Sequence, residues 1–283
     1  MDLKTQGLGV AGYARWGRAG VLAEEMVRTA EANLLLDASP ASMETGQPGL
    51  GCLETALFRG MHVVTANKAP LVLAFPHLRA LARDHGVQLR YDATVAGGLP
   101  AVNLGRRDLA AAEITRLEGI LNITTNYILT RMADDGLSYE EALADAQEAG
   151  HAEADPSLDV EGWDAANKLV ILSHSVLGYP ATLDQVAVEG ITHVTAEMLA
   201  RATTAGKKVK LLASAEQDGA GYRFSVRPTR LEASHPMAQL QAKQMGIAYY
   251  TDISGIITAA IVEETPVPTA SAMLRDVIEI YRG

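Results

Sequence analysis

The chain has 283 residues, enough for two modest domains or one large one. Hydrophobic residues make up 48% and charged residues 20%, which excludes a disordered or fibrous class. The net charge of −10 argues against a nucleic-acid partner, because a phosphate-binding surface needs a basic patch. The single cysteine, Cys52, excludes an internal disulfide, and no apolar run approaches the ~18 residues that span a bilayer. With its polar start, the sequence predicts a cytoplasmic protein without a membrane partner.

The first third of the chain alternates short apolar runs with helical patterns. Residues 33–37 and 61–65 predict buried strands, and the helical segment between them ends at Gly60, so the three form one right-handed crossover. A helix is predicted over 71–86, followed by a strand over 87–95. This alternation indicates a parallel sheet covered by helices.

A breaker cluster at 97–100 marks the end of this unit. Helices are predicted over 100–112, 124–135, 139–149 and 160–178, the third opening with a capping box at Ser138 and Glu141. From about 186, a helix and β-rich runs at 208–216, 222–231 and 255–263 suggest a second sheet. The last helix carries its apolar stripe on Ala270, Met273, Leu274 and Ile278.

Two further clusters are given no functional role. Lys207, Lys208 and Lys210 are interpreted as a solvated helix end. The segment GLGVAG matches the dinucleotide fingerprint at Gly7, Gly9 and Gly12. We reject this match, because the fingerprint requires a hydrophobic strand immediately before it and MDLKTQ is polar.

Isolated lysines stand out, because the chain has seven lysines against seventeen arginines. Lys68 follows a predicted parallel strand, where open α/β sheets bind ligands. Lys168 shares a helix face with Asp164, four residues earlier, at the end of a run that also contains Glu153 and Asp159. The pair could be an ordinary surface ion pair. Since the helix continues into an apolar run, it could also be partly buried, and a buried lysine can deliver a proton.

Two further segments have a structural and a functional interpretation. In GILNITTNYIL, residues 119–129, the polar side chains could cap a helix, or they could receive a substrate carboxylate. In DATVAGGLP, residues 92–100, the glycines could form only a tight turn. The same loop could direct carbonyls at a small cation, with Asp92 as a carboxylate ligand.

Together the motifs TANKAPL, YDATVAGGLP, GILNITTNYIL and GHAEADPSLDVEGWDAANKLVIL resemble those of homoserine dehydrogenase, in its short form without a regulatory extension. The resemblance runs from about Leu35 to the C-terminus. It implies an α/β fold, with an incomplete Rossmann-like parallel sheet plus an α+β catalytic and dimerisation domain. Residues 1–97 would form a partial dinucleotide-binding domain completed by the helix over 268–283, and residues 98–267 the substrate-binding and catalytic domain.

The resemblance also implies an activity, the NAD- or NADP-dependent interconversion of L-aspartate 4-semialdehyde and L-homoserine in threonine, methionine and isoleucine biosynthesis, by a homodimer. Lys168 would donate the proton to the aldehyde oxygen, with Lys68 between cofactor and substrate and Thr65 beside the cofactor. Glu153 and Asp164 would hold the amino acid, and Asp159 and Thr124 would line the same pocket. A sodium ion would bind at Asp92, Val95, Gly97 and Leu99.

Several positions depart from the family pattern, chiefly on the cofactor side. The family has glutamate at Asp92 and glycine at Ile123, and a Gly-Ala-Gly loop where this chain has Glu263 and Glu264. The family also begins with a strand and a glycine-rich turn upstream of anything in this sequence. We therefore expect NAD(P)H to bind with a dissociation constant ~10²-fold above that of a complete homologue. The alternative is a non-catalytic homologue or fragment that binds an amino acid or a partner.

Overall fold

The computed structural model describes residues 20–282, and the rejected motif at Gly7, Gly9 and Gly12 lies outside the described residues. After helix α1 (Ala23–Thr29), three parallel strands form a sheet in the order β1-β2-β3. The strands are β1 (Leu34–Asp37), β2 (His62–Thr65) and β3 (Leu89–Arg90), connected by α2 (Gly49–Phe58) and α3 (Lys68–Asp84). The predicted parallel sheet and the α/β class are confirmed.

The segment after β3 differs from the prediction. The strand predicted over 87–95 covers only Leu89–Arg90, because Asp92–Thr94 turn into a 3₁₀ helix. The helix predicted over 100–112 is a single turn, α4 (Ala101–Asn103), that widens into a π-helical turn over Leu104–Asp108. The Asp92 carboxylate explains the turn, because its Oδ1 accepts hydrogen bonds from the backbone N–H groups of Val102 (2.9 Å) and Asn103 (3.0 Å).

A second, mostly antiparallel sheet of six strands has the order β5-β7-β6-β4-β8-β9. Only β5 and β7 pair in parallel. The predicted β-rich runs correspond to three of these strands, whereas β4, β5 and β8 were not predicted. The strands are β4 (Ile114–Ile120), β5 (Val186–Val188), β6 (Lys207–Asp218), β7 (Gly221–Glu232), β8 (Gln244–Thr251) and β9 (Ile256–Val262).

Five helices accompany this sheet: α5 (Ile123–Asp135), α6 (Tyr139–Glu148), α7 (Ser157–Val160), α8 (Trp163–Ser175) and α9 (Ala196–Thr204). Short 3₁₀ helices cover Leu183–Gln185 and Pro236–Gln239. The capping box of α6 is confirmed. The helix predicted over 160–178 is divided into α7 and α8 at Gly162, whose φ of +90° interrupts the helical path. None of the helices within residues 20–282 is long and apolar enough to cross a membrane.

The main hydrophobic core lies between α8 and one face of the second sheet. Leu169, Val170 and Leu172 of α8 are fully or almost fully buried, as are Leu117 of β4 and Ala213 of β6. Helix α3 also packs against α8. Since α3 begins at the carboxyl edge of the parallel sheet, this packing brings that edge next to the first turn of α8.

The last helix, α10 (Val267–Arg282), packs back onto the parallel sheet, contacting β2 and the turn at Asp92. The predicted apolar stripe is wrong: Leu274 is 59% and Ile278 44% exposed. The buried face instead presents Ala272, Asp276 and Ile280. Polar contacts hold this face, so apolar periodicity could not identify it.

The interpretation of the basic cluster as a helix end is also wrong, because Lys207, Lys208 and Lys210 begin strand β6. Lys210 is buried, and its ammonium donates to Asn126 Oδ1 (2.7 Å), Thr130 Oγ1 (3.0 Å) and the Leu240 carbonyl (2.9 Å). Burial lowers the pKa of Lys210 to about 8. This lysine fixes the second turn of α5 to the sheet.

Candidate active site

The first turn of α8 places Asp164 and Lys168 side by side, as their spacing predicts. Lys168 Nζ lies 2.7 Å from Asp164 Oδ2, and the side chains are only 14% and 7% exposed. Lys168 Nζ also donates to the Leu121 carbonyl at 2.6 Å. An ammonium has three N–H groups. Among the hydrogen bonds formed within residues 20–282, Lys168 uses two, which leaves one proton for a ligand.

Lys68 reaches the same carboxylate from the other side. It begins α3, directly after β2, and its Nζ lies 2.8 Å from Asp164 Oδ1 with the side chain 26% exposed. One carboxylate therefore holds two ammonium groups, one on each oxygen. The structure thus brings together Lys68, Asp164 and Lys168, which the sequence places on two separate motifs.

Asn122 joins a second carboxylate to this group. Its Oδ1 accepts from the Thr125 backbone N–H (2.9 Å), the cap that the sequence predicts for α5. Its Nδ2 donates to Asp164 Oδ2 (2.8 Å) and to Asp159 Oδ1 (2.7 Å). Sequence reasoning missed this second role. The signal was present, since a capping asparagine uses only its oxygen and keeps two N–H groups free.

Thr124 contacts the second oxygen of Asp159 and helps to fix its position. Its Oγ1 lies 2.8 Å from Asp159 Oδ2 and 2.7 Å from the carbonyl oxygen of His151, so its one proton can be donated to only one of them at a time. Asn122, Thr124, Thr125 and Asn126 are all buried. Asn122 and Thr125 therefore form the cap of α5, Asn122 and Thr124 orient the acidic residues, and Asn126 binds the Gln241 and Gln244 carbonyls, so none of them stands open to a substrate carboxylate.

Burial and neighbouring charges shift the pKa values of the cluster in opposite directions. Burial opposes ionisation of Asp164, but the attraction and hydrogen bonds of Lys168 and Lys68 outweigh it and hold the pKa of this carboxyl well below its usual range. Burial lowers the pKa of Lys68, but Asp164 foremost, with Asp159 and Glu153, raises it overall. Burial and repulsion by Asp164 raise the pKa of Asp159. Asp164 is thus a fixed counter-charge, and Asp159 is the carboxyl that titrates more readily.

Glu153 lies in the exposed segment before α7. Its backbone carbonyl accepts from Gln147 Nε2 at 3.1 Å. Its negative charge contributes to the raised pKa of Lys68. Asp155 and Glu161 of the same acidic run serve local roles: Asp155 accepts from the backbone N–H of Ser157, and Glu161 from the Trp163 indole.

Polar groups line the carboxyl edge of the parallel sheet beside Lys68. Thr65 is buried at the end of β2 and donates to Asp37 Oδ2 (2.8 Å), while its oxygen accepts from the Asn67 backbone N–H (2.9 Å). Asn67 Nδ2 in turn donates to Ser39 Oγ at 3.1 Å. Thr65 and Asn67 thus use their donors within the protein, and Lys68 is the one of these three residues whose side chain is partly exposed at the edge where such sheets bind ligands.

In the predicted cation loop at Asp92, Val95, Gly97 and Leu99, the protein itself already engages the carboxylate. Asp92 Oδ1 is taken by two backbone N–H groups, and Oδ2 accepts from the guanidinium of Arg275. The Leu99 carbonyl accepts from Ala101 N at 2.7 Å. Burial raises the pKa of Asp92 in spite of these hydrogen bonds. Sequence reasoning missed Arg275, because no local pattern connects residues 183 positions apart.

Glu263 and Glu264 are both engaged by the protein. Glu263 accepts from Thr269 Oγ1 (2.7 Å) and from the Gly98 backbone N–H (3.4 Å). A Cβ at Gly97 would lie 2.1 Å from Glu263 Oε2, so glycine is required for this close approach. Glu264 is exposed and forms an ion pair with Lys243 at 3.0 Å. The expected effect of both charges on cofactor binding stays a prediction.

Fold and site together define an α/β protein that gathers two lysines and two aspartates beside the carboxyl edge of a parallel sheet, where such folds bind ligands. A family model described as homoserine dehydrogenase matches residues 100–278. The chain is 37% identical over 259 residues to the homoserine dehydrogenase of Methanocaldococcus jannaschii, covering 92% of this chain and 76% of that protein. It is 34% identical to the NAD(+)-dependent homoserine dehydrogenase of Pseudomonas canavaninivorans, and the match covers 94% of this chain and 76% of that protein.

Solved structures of homoserine dehydrogenases are also similar to this chain. A homoserine dehydrogenase from Thiobacillus denitrificans superposes with a TM-score of 0.87 at 32% identity, covering 93% of this chain and 60% of that one. A hyperthermophilic archaeal homoserine dehydrogenase in complex with NADPH superposes with a TM-score of 0.85 at 25% identity, covering 99% of this chain and 80% of that one. The chain belongs to the homoserine dehydrogenase family.

Proposed function

We propose that this chain catalyses the interconversion of L-aspartate 4-semialdehyde and L-homoserine with NAD or NADP, in the biosynthesis of threonine, methionine and isoleucine in the cytoplasm. The observation that carries the proposal is the third N–H of Lys168. Asp164 and the Leu121 carbonyl fix this ammonium, and its remaining proton is available to a substrate oxygen. Family membership and a relative named as NAD(+)-dependent support the cofactor class.

The reaction needs a proton donor at the oxygen and a hydride at the carbon of the same carbonyl group. Lys168 donates the proton to the aldehyde oxygen as the alcohol forms, and takes it back in the reverse direction. The nicotinamide, when bound, supplies or accepts the hydride. Lys68 lies between the sheet edge and the Lys168 pair, and its charge stabilises the negative charge that develops on the oxygen.

Asp159 and Glu153 are proposed to hold the substrate's ammonium group. Asp159 lies at the cluster and Glu153 in the exposed segment before α7, and both are anionic groups that can attract an ammonium. Asp164 contributes through Lys68 and Lys168, which occupy its two oxygens. Thr124 orients Asp159 within this pocket.

The cofactor is proposed to bind along the carboxyl edge of the parallel sheet. Thr65 fixes the end of β2, and Lys68 extends from the next helix toward the substrate. The proposed division of the chain follows from this arrangement: residues 1–97 with the helix over 268–283 on the cofactor side, and residues 98–267 on the substrate side. The packing of α10 on β2 supports this grouping.

A homodimer is proposed through the outer face of the second sheet. The outward residues of β9, Ile256 and Val262, are 56% and 54% exposed. On the same face, Glu118 is buried in a polar cluster with Tyr250 and His235. Exposed apolar strand residues around satisfied polar groups are typical of a subunit interface.

A steady-state assay tests the proposed reaction. We expect homoserine-dependent reduction of NAD or NADP, followed by the absorbance of the reduced nicotinamide, and the reverse reaction with L-aspartate 4-semialdehyde. Calorimetric titration of homoserine and of NADPH measures the two affinities separately. Homoserine binding without turnover with either cofactor would instead support the non-catalytic alternative.

Replacing Asp159 with asparagine tests the ammonium subsite. Because the pKa of Asp159 is raised, its carboxylate is protonated at a higher pH than an ordinary aspartate. We expect the KM for homoserine to rise as pH falls through this raised pKa, since protonation removes the attraction for the ammonium. In Asp159→Asn, KM should be high at all pH values and lose this acid limb, while the cofactor KM changes little.

Asp184→Asn, the same change at an exposed residue, is the matched control and should keep the wild-type profile. An acid limb that persists unchanged in Asp159→Asn would assign the titration to another group. A parallel rise in the KM for the cofactor would point to a general distortion of the site.

A further inference from the structure

The Asp92 carboxylate is saturated by the protein itself. Its side chain is 0% exposed, and Oδ1 accepts from Val102 N at 2.9 Å and Asn103 N at 3.0 Å. Oδ2 accepts from Arg275 Nη2 of α10. The carboxylate therefore holds the start of α4 with one oxygen and a cation with the other.

The neighbouring residue on α10 strengthens this junction. Asp276 is buried, and its Oδ2 accepts from the Asp92 backbone N–H at 3.0 Å while its Oδ1 accepts from Asn103 Nδ2 at 3.1 Å. Arg275 and Asp276 thus bind opposite polar groups of the same turn. Two adjacent residues of α10 fix both the charge and the position of the loop that begins at Asp92.

The carbonyls of the loop are only partly engaged. The Leu99 carbonyl accepts from Ala101 N at 2.7 Å, whereas the carbonyls of Val95 and Gly97 accept no hydrogen bond within residues 20–282. Val95 and Leu99 are 0% and 1% exposed. The carboxylate is the group that is missing for a hard cation, because both Asp92 oxygens are engaged and the Arg275 guanidinium beside them would repel a metal ion.

We propose that the Arg275 guanidinium is a built-in cation that takes the place of a monovalent metal at the 92–99 loop, so that this chain keeps the loop in position without sodium or potassium. The guanidinium neutralises Asp92 and connects the loop to α10. Because Gly97 and Gly98 of this loop contact Glu263 and Pro268, the same connection sets the position of the loop against the second sheet.

Thermal unfolding of the full chain tests this proposal independently of catalysis. Metal-depleted protein is unfolded in choline chloride, and then with sodium or potassium chloride replacing choline at constant ionic strength. We expect the same melting temperature in all three salts. A saturable rise with sodium or potassium alone would overturn the proposal, since it would reveal a metal site that the guanidinium does not replace.

The variant Arg275→Met keeps the apolar stem and removes the charge. We expect its melting temperature in choline chloride to fall by several degrees, because a buried carboxylate loses its partner, and methylguanidinium to restore part of the loss. Arg107→Met is the control. Arg107 also pairs with a residue of α10, Glu279, but its side chain is 59% exposed. If Arg275→Met is no less stable than Arg107→Met, the guanidinium does not hold the loop. If Arg275→Met does not fold, the wild-type salt comparison decides.

Discussion

Lys168→Arg is expected to lower kcat for homoserine oxidation by ~10²-fold or more, the usual contribution of a positioned acid or base. Arginine keeps the positive charge and can still pair with Asp164, but it does not release a proton at any relevant pH. The loss should appear mainly in kcat, because the proton moves in the transition state rather than on binding. Steady-state kinetics with saturating cofactor measure both constants.

The matched control is Lys207→Arg, the same substitution at a lysine of β6 that pairs with Glu232 of β7 and is 37% exposed. It should retain wild-type kcat. A folded Lys168→Arg enzyme with near-normal kcat would exclude Lys168 as the proton donor and leave it the role of a structural cation. Equal losses in both variants would mean that the substitution, not the position, causes the effect.

Local patterns were enough to predict much of the fold and part of the site. The crossover from β1 through α2 to β2 follows from two apolar runs and Gly60, and Asp164 meets Lys168 because four residues span one helical turn. The position of Lys68 followed from a rule about parallel sheets, that ligands bind at the carboxyl edge. In each case the information lies within one element or one connection.

What the sequence could not predict depends on distant contacts. Strand β4 carries Arg116 and Glu118 on the face that another part of the chain satisfies, so its charges hid the strand pattern. The buried face of α10 contains Asp276, which hydrogen bonds from Asp92 and Asn103 satisfy. Such contacts make a charged residue suitable for a buried position, and apolar periodicity cannot detect them.

Within the active site, too, local contacts could be predicted and distant contacts could not. Asn122 could be predicted as a cap, because a cap acts on its own helix. Its hydrogen bonds to Asp159 and Asp164 link residues 37 and 42 positions away, and they depend on how α7 packs against α5 and α8. The roles of the acidic residues therefore became separable only with the structure, with Asp164 neutralising the lysines and Asp159 free to titrate.

Asp164→Asn is expected to have the broadest effect of any change in the site. The amide keeps the shape of the side chain but leaves Lys68 and Lys168 without their shared counter-charge in a largely buried place. Removing one partner of a buried pair costs roughly 3–5 kcal/mol, so the free energy of unfolding should fall by an amount of this order. Homoserine turnover and binding should weaken far more than cofactor binding, because Lys168 lies on the proposed substrate side and only Lys68 lies between substrate and cofactor. Denaturant unfolding and calorimetric titration of each ligand measure these effects.

The control is Asp135→Asn, which breaks another pair of residues four apart on a helix, with Arg131 at 2.5 Å, but at a site where the aspartate is 43% exposed. An exposed pair of this kind contributes about 0.3–0.5 kcal/mol, so this variant should be close to wild type in stability and activity. If Asp164→Asn were equally mild, the cluster would not depend on a shared counter-charge. If it weakened both ligands to the same extent, the loss would reflect a folding defect rather than the pairing of Asp164 with the two lysines.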